Sequence, residues 1–298
     1  MELGKRSMQA ESVAPTPVRH RSRGGLLVAV GAIVLLVVLA IAYLVNSART
    51  VDAQVRQADQ ALKVAVGHRD AVDKAINDYV GADVPSDPAG YKALVDKDLP
   101  EVEMALRTVR SDQASVKAAD AKLGSASVLT LTKRDAQAAE AKLTQAARSG
   151  LANAEQVLVD IHDQLLMLQP LAQGVIEMRG LIAKAQANDL NGALAASASA
   201  KQQVQIALDR SHRADIPAEY GVLAGLLKSG LDALQQEIAA LQANNPSAAR
   251  QAQSQLQALS NQFDALKVRF DQVDASNRLM FQPLIDSYHK GLQAATIV

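Results

Sequence analysis

The sequence predicts an all-α protein in which a single N-terminal transmembrane helix continues into a bundle of long helices with coiled-coil-like packing. Three observations predict it. No charged residue occurs between residues 24 and 46. Beyond that stretch, apolar residues recur three and four apart almost without interruption. The composition has 3% aromatic residues, no Cys and no Trp, with abundant Ala, Leu, Gln, Lys and Asp. It favours helices and leaves the core to be built from aliphatic side chains.

The apolar segment, residues 25–45, reads GLLVAVGAIVLLVVLAIAYLV. About 20 apolar residues rising about 1.5 Å each match a hydrocarbon core of about 30 Å. Tyr43 lies at the far end, where an amphipathic ring suits the interface. A cleaved signal peptide is the alternative, with Ala40-Ile41-Ala42 as a small-x-small cleavage site. The run exceeds the usual apolar region of about 7–15 residues, and that site falls inside it, so an uncleaved anchor is expected. The 20 residues before the segment hold five Lys/Arg and the 20 after it hold three (Arg49, Arg56, Lys63). This bias puts the N-terminus in the cytoplasm of a single-pass membrane protein and the domain of residues 46–298 outside. The tail, residues 1–24, carries Lys5, Arg6, Arg19, Arg21 and Arg23 against Glu2 and Glu11, a net +3. It has no apolar periodicity and reads as disordered. Its basic residues set topology and are also suited to anionic head groups.

After the anchor, Val51, Val55, Ala58, Leu62, Ala65, Val72, Ile76 and Tyr79 continue a helical stripe that ends near Gly81. Residues 81–88 read as a loop. Asp87 before Pro88 starts a second helix, with a side-chain acceptor at the N-cap and Pro at N1. Val102, Leu106, Val109, Val116 and Leu123 mark that helix, with Asp98-Leu99-Pro100-Glu101 as a second cap or a kink, and an end near Gly124. Thr132 to Asp135 opens a third helix along Leu143, Ala147, Gly150, Ala154, Val157, Ile161, Leu165 and Leu168, which Pro170 should kink or restart. Asp189 and Asp215 are candidate caps for two further helices. Asn245-Pro246 opens the last, whose seam runs Ala249, Ala252, Leu256, Leu259, Phe263, Leu266, Phe270, Val273, Asn277, Met280 and Leu284. A repeat of about 3.5 residues sustained this long implies left-handed supercoiled packing, by default against helices of the same chain. Asn277 enters the seam either to fix register or oligomer state or as a satisfied polar residue near the helix end.

Residues 186–193 (QANDLNGA) parallel residues 242–249 (QANNPSAA). The turn resembles the helix-turn-helix corner of tetratricopeptide repeats over eight residues, twice. The separation of 56 is not that family's period of about 34 residues, and its consensus aromatics are missing, so the family is not carried over.

The chain contains neither a phosphate-cradling glycine loop nor a nucleophile elbow. His20, His68, His162, His212 and His289 are isolated, without the i,i+4 pairing that would place two metal ligands on one helix face. Asp286-Ser287-Tyr288-His289 holds the residue types of a hydrolase triad, but helix neighbours point in different directions. Glu101 with Glu103 and Asp70 with Asp73 read as solvated faces, and Asp59–Lys63 and Asp70–Lys74 as i,i+4 ion pairs. No catalytic, cofactor-binding or metal-ligating residue is assigned. With five basic and two acidic residues in the tail, 26 basic and 29 acidic remain, a net −3 that disfavours nucleic acid as a partner. The expectation is a non-catalytic interaction or scaffolding protein of the cell envelope. Its partners are the bilayer and another protein, and homo-oligomerisation is compatible with the long seam. Two alternatives stand beside it: a small-ligand sensor or binding domain that works with a separate signalling subunit, or a cytoplasmic coiled-coil scaffold if the topology is reversed.

Overall fold

The computed structural model describes residues 23–81, 85, 87–124 and 133–296. Among the described residues there are six helices and no strand: α1 (Arg23–Val80), α2 (Pro88–Gly124), α3 (Arg134–Gln186), α4 (Leu190–Arg210), α5 (Ala218–Gln242) and α6 (Pro246–Thr296). The chain divides into two units, residues 1–50 and residues 51–298. The basic tail before Arg23 and the loop residues 82–84 and 86 lie outside the described residues.

In the first unit, the described residues are all helical. From residue 35 to 45 every side chain is exposed, with Leu36 at 65% and Ile41 at 55%. Ser47 and Thr50 return their hydroxyls to the carbonyls of Leu44 and Asn46, each at 2.9 Å, which satisfies these groups within the helix. Among the described residues α1 alone is long and apolar enough to cross a membrane, by length and composition.

In the second unit, α3 is the spine. It packs on α2, α4 and α6, while α5 packs on α4 and α6. The expected stripes are the buried ones. α1 buries Val51, Ala58, Leu62, Ala65, Val72 and Ile76. α3 buries Ala147, Leu151, Ala154, Leu158, Ile161, Leu165, Leu168 and Ala172, alternating four and three apart. Each fully buried Leu or Ile contributes about 2 kcal/mol before chain entropy is counted. Around its centre α3 is buried on several faces, Met167 and Leu171 included, because neighbours surround it. At Gly150 of α3 and Gly291 of α6 the two backbones touch. A Cβ on Gly291 would lie 2.6 Å from the Ala146 carbonyl oxygen, and one on Gly150 would lie 2.9 Å from that of Tyr288.

Several helix starts follow the sequence rules. Asp87 Oδ1 accepts from Gly90 N at 2.8 Å, Asp189 Oδ1 from Gly192 N at 2.9 Å, and Asn245 Oδ1 from Ala248 N at 3.1 Å. The two similar turns share one geometry. Asn188 and Asn244 adopt φ of 63° and 50°. In the first turn Asn188 N bonds Ala185 O and Asp189 N bonds Lys184 O; in the second Asn244 N bonds Leu241 O and Asn245 N bonds Ala240 O. This is a Schellman closure whose final residue also caps the next helix. Gln242 Nε2 donates to Asn191 Oδ1 at 3.0 Å, so both turns lie at one end of the bundle.

Of the two outcomes expected at the prolines, a restart does not occur: α2 and α3 run through Pro100 and Pro170. Four other expectations are corrected. Asp98 is accordingly a buried mid-helix residue and no cap. Asp215 does not cap α5, whose N-cap is Pro217. Lys74 pairs with Asp78 at 2.8 Å and with Glu101 at 2.9 Å rather than with Asp70, since α2 supplies a second carboxylate on that side; Asp59–Lys63 forms as expected at 2.7 Å. On α6, Met280 is 46% exposed while Phe281 is 1% exposed. The seam advances from Asn277 to Phe281 by four residues after another step of four from Val273, a stutter that rotates the buried stripe.

Candidate functional site

The buried face of α2 is a heptad seam. One position repeats Val95, Val102, Val109, Val116 and Leu123; the other repeats Asp98, Ala105, Asp112 and Ala119. Two aspartates therefore sit in the core, two heptads apart. A buried carboxylate needs a partner. Asp112, 4% exposed, has one: His68 Nδ1 of α1 lies 3.0 Å from Oδ2 and 3.1 Å from Oδ1.

Asp98 is in a different setting. α1 runs antiparallel to α2, with His68 level with Asp112 and Lys74 level with Glu101. Asp98 lies less than one turn beyond Glu101, level with the last turn of α1, whose Asp78 is 3.5 Å from Lys97. Among the described residues no α1 side chain bonds Asp98 as His68 bonds Asp112, and a cavity of about 100 Å³ opens there. Tyr79 and Val80 of α1, Tyr91 and Asp98 of α2, Leu165 and Leu168 of α3, Tyr220 of α5, and Asn277, Arg278 and Phe281 of α6 contribute to its walls. The chain has only five Tyr and three Phe, so this one cavity gathers half of its rings. The Tyr79 hydroxyl donates to Gln164 Oε1 at 2.6 Å, and Gln164 is wholly buried with its Nε2 unpartnered among the described residues. Asp98 is 3% exposed; its one hydrogen-bonding partner among the described residues is the exposed Lys97 ammonium, 3.2 Å from Oδ1. Arg278 directs its guanidinium to the Val80 carbonyl at 3.4 Å.

A second polar group lies where α3 meets the α4–α5 connection. Asp163, 5% exposed, receives the Arg213 guanidinium and lies 3.4 Å from His162 Nδ1. Burial, then the neighbouring Asp215, raises Asp163 above the usual carboxylate range. Burial also pushes Asp215 upward, but bonding to Asp163, to its own backbone and to Arg213 outweighs it and holds Asp215 low. Asp160 beside them is pushed up to about 6 by burial and by repulsion from Asp215 and Asp163. The two carboxyls shift in opposite directions because two adjoining carboxylates cannot both ionise cheaply at low dielectric.

The residues singled out from sequence are dispersed. His289 Nε2 lies 2.8 Å from Asp73 Oδ1 on α1, while Ser287 Oγ accepts from Asn153 Nδ2 of α3 at 2.7 Å, so these two neighbours serve different helices. Tyr288 between them is buried, and its hydroxyl is held above its ordinary pKa by burial and then by Asp73 and Asp112. His162 lies 3.7 Å from Glu103. Three histidines thus bridge helices through carboxylates. Among the described residues no group of three or more His, Asp or Glu is placed to hold a metal ion. His20 lies outside the described residues. Asn277 reaches the cavity wall, a role the seam pattern did not suggest. The Asp98/Asp112 spacing of two heptads was the available signal for the cavity. Its meaning depends on which α1 side chains lie across from each aspartate.

Compared with protein-family models, curated proteins and solved structures, the chain matches none.

Proposed function

We propose that this chain is a single-pass, membrane-anchored helical bundle of the cell envelope that binds a partner and performs no catalysis. Residues 1–24 form its cytoplasmic tail, residues 25–45 its anchor, and residues 46–298 an extracytoplasmic binding domain. The observation that carries the reading is the exposure of every side chain from residue 35 to 45 in a protein whose other helices bury their apolar stripes. In water such a surface is unfavourable at about 25 cal/mol per Å²; in a bilayer it is the required surface. The non-catalytic reading is supported by the histidine–carboxylate pairs, each of which ties elements of the bundle together.

The test is protease accessibility of a C-terminal epitope on spheroplasts. The tag should be lost from intact spheroplasts while the N-terminal fragment stays with the membrane. Protection until permeabilisation would reverse the topology and make the cytoplasmic scaffold the correct reading.

For the partner, one observation favours a small ligand over a protein surface. Apart from the adjacent Leu279 and Met280 of α6, the exposed large apolar residues of the bundle (Val64, Met104, Val222 and Leu241) are separated along α1, α2 and α5, as on ordinary soluble surfaces. The ring-lined cavity at Asp98, by contrast, combines an apolar wall with a few convergent polar groups, the usual make-up of a ligand pocket.

A further inference from the structure

We propose that the cavity at Asp98 is a site for a small organic cation, an amine or quaternary ammonium of about five heavy atoms; the assignment rests on the ligand-binding reading above. The size follows from volume: a cavity of about 150 Å³ takes a benzene-sized molecule, and this one is about 100 Å³. The charge follows from the α2 seam. Asp98 and Asp112 occupy equivalent positions, both almost fully buried. Asp112 is matched by an imidazole from α1. Among the described residues Asp98 bonds only its own neighbour, Lys97, whose side chain is 54% exposed and which also reaches Asp78 at 3.5 Å. α1 contributes Tyr79 and Val80 to the wall of the cavity, neither of them charged. A cation there meets the carboxylate with its charge and the rings of Tyr79, Tyr91, Tyr220 and Phe281 with its alkyl surface. Aromatic faces attract cations through the ring quadrupole, and cages of rings are a recurrent solution for quaternary ammonium groups. Arg278, the one cationic wall residue, is exposed and turned onto the Val80 carbonyl, which leaves the carboxylate as the buried charge.

The experiment uses the full chain in detergent micelles and reads tyrosine emission, which no Trp obscures and to which three of the five tyrosines contribute from the cavity wall. Tetramethylammonium chloride is titrated against tert-butanol, a neutral molecule of similar shape, and against sodium acetate at equal ionic strength. The expected result is a saturable change with tetramethylammonium alone, weakened at least tenfold in Asp98→Asn and in Tyr91→Leu, both checked for native helicity by circular dichroism. If tert-butanol saturates as well as the cation and Asp98→Asn binds both unchanged, the cavity is a ligand site and the cationic assignment is overturned. Saturation by acetate alone would overturn it in favour of Arg278 as the recognising group. If no probe saturates in the wild-type chain, the cation site and the ligand-binding reading beneath it both fall.

Discussion

A carboxylate is tolerated in an aliphatic core only when something compensates its lost hydration, and the charged residues of this protein are best read by asking what compensates each one. For Asp112 it is His68, and for Asp73 it is His289. For Asp163 it is the Arg213 guanidinium. Asp160 has the least help, and its carboxyl is raised to about 6. A carboxyl raised in the folded state stabilises the fold below its ordinary pKa, and that contribution is lost as pH rises through the folded value. The bundle should therefore lose stability between about pH 4 and pH 7 through this group. Asp160→Asn should lessen the loss by about 1 kcal/mol after allowance for screening at a partly exposed site. Urea midpoints at pH 5 and pH 8 would check it, and an identical pH slope in the variant would refute the assignment. The two similar turns give a second test at this scale. Asn188 and Asn244 are held at positive φ, where Gly has no steric penalty. Asn188→Gly and Asn244→Gly should each raise stability by up to about 1 kcal/mol, whereas Asp189→Ala and Asn245→Ala should each lower it by about 1 kcal/mol through loss of the cap. Thermal melts of the four single variants would separate the two signs.

At the scale of elements, spacing and caps carried most of the information. The Asp87, Asp189 and Asn245 caps and the long stripes of α1, α2 and α3 follow from local rules, since each depends on residues within a turn or two. Readings failed where a distant helix decided. Asp98 caps nothing because α2 continues through Pro100 with buried residues on both sides. Lys74 chooses Asp78 and Glu101 because α2 lies across from it. The α6 stripe shifts from Met280 to Phe281 because the helix accommodates the cavity and then the crossing at Gly291. That crossing gives a prediction whose sign opposes intrinsic propensity. Gly→Ala in a helix normally gains about 1 kcal/mol. Gly291→Ala should instead lose about 1 to 3 kcal/mol, because its Cβ would press on the Ala146 carbonyl. A stabilised Gly291→Ala variant in chemical denaturation would show that α3 and α6 do not meet there.

At the scale of the molecule, the main core cluster and its satellite around Ala58, Ala119 and Leu123 are made from residues of the second unit. Removal of residues 25–45 should accordingly move the protein from the membrane fraction to the soluble fraction with its helical circular dichroism retained in the bundle. Cell fractionation of the deletion variant tests this; aggregation with loss of helicity would mean that the apolar segment takes part in the bundle's fold.

The helical class, the one segment among the described residues long and apolar enough to cross a bilayer, most helix starts and the buried stripes were legible in the sequence, because these rest on period, charge and capping within a few residues of one another. Which buried carboxylates have partners, that the helices run through Pro100 and Pro170, and that half of the chain's aromatic rings surround one cavity at the end of α1 emerged from the packing of distant helices. A heptad pattern specifies a face to be buried, whereas compensation of a buried charge depends on which residues a second helix, far away in sequence, brings opposite it.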